Sequence, residues 1–84
     1  MSYFTTIERF FLSLKNSGLA LSASDYELIG EWEKRRVPVE LICRAIEYSF
    51  SKYKNQIRGQ RGKISLTKIQ TIIEERIQAE TYQI

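Results

Sequence analysis

Apolar residues recur at helical spacing in four stretches of this chain. In the first, from about Ser2 to Asn16, Phe4, Ile7, Phe11 and Leu14 share one face with Phe10 beside them. Asn16-Ser17-Gly18 reads as its stop, with Gly18 suited to the left-handed position after a helix. Leu19 and Leu21 lead into the second stretch. Ser22 is its expected N-cap, and Asp25 is placed to return a hydrogen bond and to sit against the helix dipole. Tyr26, Leu28, Ile29 and Trp32 cluster on one side, with Glu27, Glu31 and Lys34 on the other. The helix should end near Arg36, because Pro38 disfavours helical geometry in Val37.

Pro38 then fits the first turn of a third helix, which receives Glu40 at its positive end. Val39, Leu41, Ile42, Ala45, Ile46, Phe50, Tyr53 and Ile57 form the longest apolar stripe in the chain. The stripe fades into Asn55–Lys63, where residues 59–63 read as a mobile basic loop bounded by Gly59 and Gly62. Ser65 is the expected cap of a fourth helix carrying Leu66, Ile69, Ile73 and Ile77, with Ile72 at the edge. The pattern predicts an all-α, small four-helix domain with the second and third helices as a central helical hairpin. Phe11, Leu14, Leu21, Ile29, Trp32, Leu41, Ile42, Ala45, Ile46, Phe50, Ile69 and Ile73 are its expected core. Trp32, the sole tryptophan, reads as the anchor.

At 84 residues the chain is one domain with a small core. It contains no histidine and a single cysteine, Cys43. A Ser–His–Asp triad, a Cys–His nucleophile pair, a Cys/His zinc site and an internal disulfide are therefore excluded within one chain. One unpaired thiol fits a reducing, cytoplasmic setting, and Cys43 reads as a small hydrophobe at the edge of its helix's apolar face. Glu8 and Arg9 interrupt the N-terminal apolar run, which lacks the signal-peptide pattern, and no stretch reaches the length of a membrane span. The carboxylates fall mostly on polar helix faces; Glu27 and Glu31, spaced for a shared metal, read as solvated neighbours. Gly59–Lys63 lacks the strand and helix context of a phosphate loop. The expectation is a non-enzymatic protein with no cofactor, no metal and no small-molecule substrate.

Charge is more informative in its distribution than in its net value of +3. No acidic residue lies between Glu47 and Glu74, while Lys52, Lys54, Arg58, Arg61, Lys63 and Lys68 do. On the third helix Arg44, Tyr48, Lys52 and Asn55 run opposite the apolar stripe. Guanidinium and ammonium groups neutralise phosphate, and an exposed tyrosine stacks on an unpaired base. The candidate nucleic-acid-binding residues are Arg44, Tyr48, Lys52, Lys54, Arg58, Arg61 and Lys63. The plainer reading of the same face is a solvated surface with one snorkelling tyrosine. Lys34-Arg35-Arg36 reads as cations complementing a helix C-terminus, with the Arg36 stem packed beside Ile29 and Trp32. The competing functional class is a protein–protein adaptor or homodimer built on the Phe-rich first helix.

Leu21-Ser22 with Asp25, then Ile29 and Trp32, then Glu40-Leu41-Ile42 with Ala45-Ile46 form a pattern. It resembles the C-terminal helical domain of the DnaD family of bacterial and phage replication-initiation proteins. That family's later helix, associated with DNA binding, corresponds to Lys68–Arg76. Here the apolar positions are kept, and Lys68 and Arg76 stand in place of its two aromatics. The resemblance implies a helical domain that contacts DNA during replication.

Overall fold

The computed structural model describes residues 2–15, 21–54 and 64–81. It is all-α: α1 (Tyr3–Lys15), α2 (Ala23–Lys34), α3 (Val39–Lys54) and α4 (Gln70–Thr81), with no strand among the described residues. The stop at Gly18, the end of the stripe at Ile57 and the basic loop 59–63 lie outside the described residues.

Local chemistry explains the helix starts. Ser2 caps α1, its Oγ accepting the Thr5 N–H at 3.1 Å. Ser22 caps α2 in extended geometry and accepts the Asp25 N–H at 3.2 Å. The expected return bond from Asp25 is replaced by a tertiary one. The Asp25 side chain is buried, and its Oδ1 accepts the Thr67 N–H at 3.2 Å. A residue typical of a cap thus ties the first turn of α2 to the segment before α4.

The end of α2 is a Schellman turn. Arg36 N–H donates to the Glu33 carbonyl at 3.0 Å, and Val37 N–H donates to the Trp32 carbonyl at 3.1 Å. Val37 and Trp32 both belong to the buried core. Arg36 takes the left-handed position, with φ 59°. The expectation that its stem packs beside Ile29 and Trp32 is therefore corrected: Arg36 has left the helix and is exposed. A side chain at positive φ carries strain that glycine avoids. Arg36→Gly should stabilise the fold by about 0.5–1 kcal/mol, read as a higher midpoint in urea. A lowered midpoint would contradict the turn geometry.

Pro38 sits one place ahead of expectation, its carbonyl accepting the Ile42 N–H at 3.1 Å just before α3 begins. Ile42, Ala45, Ile46 and Phe50 turn inward. Ser49 shares that buried face, and its Oγ donates to the Ala45 carbonyl at 2.7 Å, which removes the cost of burying a hydroxyl. Residues 35–38 join α2 to α3, while the closest helix packing of α3 is against α4 and α1. Phe11 meets Phe50 edge-on, with ring centroids 6.1 Å apart and an interplanar angle of 83°.

The cap at Ser65 is also corrected. Its Oγ takes the Lys68 N–H at 3.3 Å, but this closes a tight turn rather than α4. Lys68, Ile69 and Gln70 N–H groups bond three residues back, to Ser65, Leu66 and Thr67 carbonyls. α-Helical bonding begins only with Ile73 N–H to the Ile69 carbonyl at 3.0 Å. The tight turn places the Thr67 N–H on Asp25 and buries Ile64 and Leu66.

Ten of the twelve expected core residues are buried; Leu14 and Leu41 are instead half-buried against the core. Ile7, Leu28, Val37, Ile64, Leu66 and Ile77 complete it. The Phe-rich face of α1 is largely used within the chain: Ile7 and Phe11 are buried, and Phe4 and Phe10 pack half-buried on the core. Tyr3 Oη donates to the Val37 carbonyl at 2.8 Å, and burial, aided by the Glu33 carboxylate, raises its phenol to about 12. Tyr26 Oη donates to Glu8, tying α1 to α2. Among the described residues no helix is long and apolar enough to cross a membrane.

Candidate nucleic-acid interface

The four-residue spacing of Arg44, Tyr48 and Lys52 sets them in one row on the exposed side of α3. On α4, Ile73 and Ile77 face the core, which leaves Arg76 and Glu80 on the flank nearest that row. The two helices enclose an open cleft of about 560 Å³ lined by Arg44, Glu47, Tyr48, Ser51, Lys52, Arg76 and Glu80. A smaller depression of about 200 Å³ lies beside it, lined by Tyr48, Lys52, Ile72, Glu75, Arg76 and Ala79. Tyr48, Lys52 and Arg76 line both.

Tyr48 is the one large hydrophobic side chain exposed among the described residues, at 44%. It is not a bare ring. The Arg76 guanidinium lies 4.8 Å from the ring centroid and the Lys52 ammonium 5.8 Å. Arg44 Nη2 contacts Glu80 Oε1 at 3.2 Å, and Arg76 Nε lies 3.7 Å from Glu80 Oε2.

Of the seven residues picked out by sequence, the structure brings Arg44, Tyr48 and Lys52 together. Arg58, Arg61 and Lys63 lie outside the described residues, as does the Lys54 side chain. Two residues of α4 were missed. Arg76 supplies the cation closest to the Tyr48 ring centroid. Glu80 supplies an acid to a surface that looks acid-free along the chain. The signal for Arg76 was its place beside Ile73 and Ile77 on α4, but only packing against α3 shows what it meets. Lys68 does not line the cleft.

Neither Cys43 nor the Arg35–Glu74 pair lines the cleft. Burial pushes the half-buried Cys43 thiol above its ordinary value. Arg35 leaves the basic knot at the α2 terminus and grips Glu74 with two bonds, Nη1 to Oε2 at 2.9 Å and Nη2 to Oε1 at 3.0 Å. Trp32 Nε1 also donates to Glu74 Oε2, at 3.1 Å. The Arg35 guanidinium holds the Glu74 carboxyl below its usual range; burial opposes this and the Trp32 N–H adds to it.

Residues 2–83 match a family model whose description is "Uncharacterised protein". No curated protein and no solved structure matches the chain.

Proposed function

This chain belongs to the uncharacterised family matched over residues 2–83, and we propose that it is a non-enzymatic accessory domain contacting nucleic acid along the α3–α4 cleft. The observation that carries the reading is the exposed Tyr48 ring with Arg76 and Lys52 against it and Arg44 one turn away. A ring and a guanidinium both offer flat surfaces for an unstacked base, and the adjacent charges suit the phosphates beside it. A single strand presents bases in that way; a closed duplex does not. The residues that could read base edges in a groove are few, so binding is directed at the backbone.

Two further features support the reading. Lys54, Arg58, Arg61 and Lys63 follow Lys52 closely in sequence and extend the cationic run. The likeness of Leu21–Ile46 to the DnaD C-terminal domain points to the same class of partner, in replication. Glu47 and Glu80 in the cleft imply moderate affinity rather than a strongly basic grip.

The test is fluorescence anisotropy of labelled single-stranded DNA, duplex DNA and RNA at low and moderate salt. Binding that favours single strands and weakens steeply with salt is expected. Absence of binding at low salt would remove the reading.

A further inference from the structure

A surface suited to phosphate has no obvious need for a carboxylate between its arginines. Glu80 is placed there. Its Oε1 lies 3.2 Å from Arg44 Nη2 on α3, and its Oε2 lies 3.7 Å from Arg76 Nε on its own helix. One carboxylate therefore spans the two walls of the cleft, the position a phosphate would take between the same guanidiniums.

The carboxylate is held imperfectly. Glu80 Oε2 is shut off from solvent and finds no hydrogen-bond partner among the described residues. At 3.7 Å the Arg76 contact is an ion pair but not a hydrogen bond. An enclosed oxygen left without a donor weakens the hold of the whole group. A phosphate carries the same sign of charge with more acceptor oxygens, and guanidinium groups match its geometry well.

Building on the nucleic-acid reading, we propose that Glu80 is an internal stand-in for phosphate. In the free protein it occupies the space between Arg44 and Arg76. A backbone phosphate of the bound strand displaces it. Glu80 thereby keeps the two arginines gathered at the cleft, and it lowers affinity by competing for them. Glu47 lines the same cleft but makes no ion pair among the described residues, so it provides a control of equal charge.

The experiment titrates the wild-type chain, Glu80→Gln and Glu47→Gln against fluorescein-labelled oligothymidylate at several salt concentrations. Glu80→Gln should bind about threefold to tenfold tighter, the factor that one or two part-exposed ion pairs are worth. Its log–log salt slope should change little, because the bound state of both proteins places the same phosphates on Arg44 and Arg76. Glu47→Gln should gain clearly less. Equal gains from both variants would make the effect one of net charge and overturn the proposal. An unchanged Glu80→Gln beside a binding wild type would overturn it too, while leaving the nucleic-acid reading intact. Silence from all three proteins at low salt would end both.

A second readout needs no variant. In the wild type, the Arg76 Nε–H and Glu80 carboxyl resonances should shift together as oligothymidylate is added. An Arg76 shift with a stationary Glu80 would show that the carboxylate is not displaced.

Discussion

Trp32→Ala is expected to lower the free energy of unfolding by about 3–5 kcal/mol. A chain of this size has only about 4–12 kcal/mol to lose. Three roles converge on this side chain. The indole fills the core with no exposed surface, it shares that core with Val37 of the Schellman turn, and its N–H meets Glu74. Trp32→Phe separates volume from hydrogen bonding and should cost about 1–3 kcal/mol. Urea unfolding followed by circular dichroism reads both variants. A loss below 1 kcal/mol for Trp32→Ala would mean that α2 does not depend on this anchor.

The same cluster sets part of the acid limb of stability. Glu74 has a folded-state pKa below its unfolded value, so the stability it contributes is fully present above about pH 4.3. That contribution is lost as pH falls through the lowered folded-state value. Glu74→Gln retains an acceptor for the Trp32 N–H but does not titrate. Its melting temperature should fall less than that of the wild type as pH drops from 5 towards 3. Parallel curves for the two proteins would remove Glu74 from the account of acid unfolding.

Lys52→Glu combined with Arg76→Glu is expected to weaken single-strand binding by at least about tenfold, since two phosphate contacts become two repulsions. The log–log salt slope should fall by about 1 to 2, at roughly 0.7 per lost contact on a single strand. Both side chains are exposed, and surface changes of this kind move stability by about 0.5 kcal/mol or less. A melt by circular dichroism therefore separates lost binding from lost folding. Unchanged affinity in a folded double variant would take the site away from the α3–α4 cleft.

The helices were legible because their signals are local. Ser22 before an apolar cluster, Pro38 after Val37 and the stripe from Val39 to Phe50 each depend on neighbours within a turn or two. What was not legible depends on residues far apart in sequence. Asp25 looks like half of a capping box until the turn before α4 presents the Thr67 N–H to it. Ser65 looks like a helix cap because its bond to Lys68 is the same in a tight turn and in a helix start. Arg36 looks like one more helical residue, since a non-glycine at positive φ leaves little trace in sequence. For the site, the spacing of Arg44, Tyr48 and Lys52 on one helix defined one wall. The other wall, Arg76 and Glu80, exists only because α4 lies against α3. An acid-free stretch of sequence therefore did not make an acid-free surface.

The most direct test of the central claim is a titration of the ¹⁵N-labelled chain with oligothymidylate, followed residue by residue in heteronuclear NMR spectra. Shifts should concentrate at Arg44, Tyr48, Ser51, Lys52 and Arg76, on the two facing walls of the cleft. Shifts confined to the α1–α2 groove, around Phe4 and Gly30, or none at low salt, would contradict it.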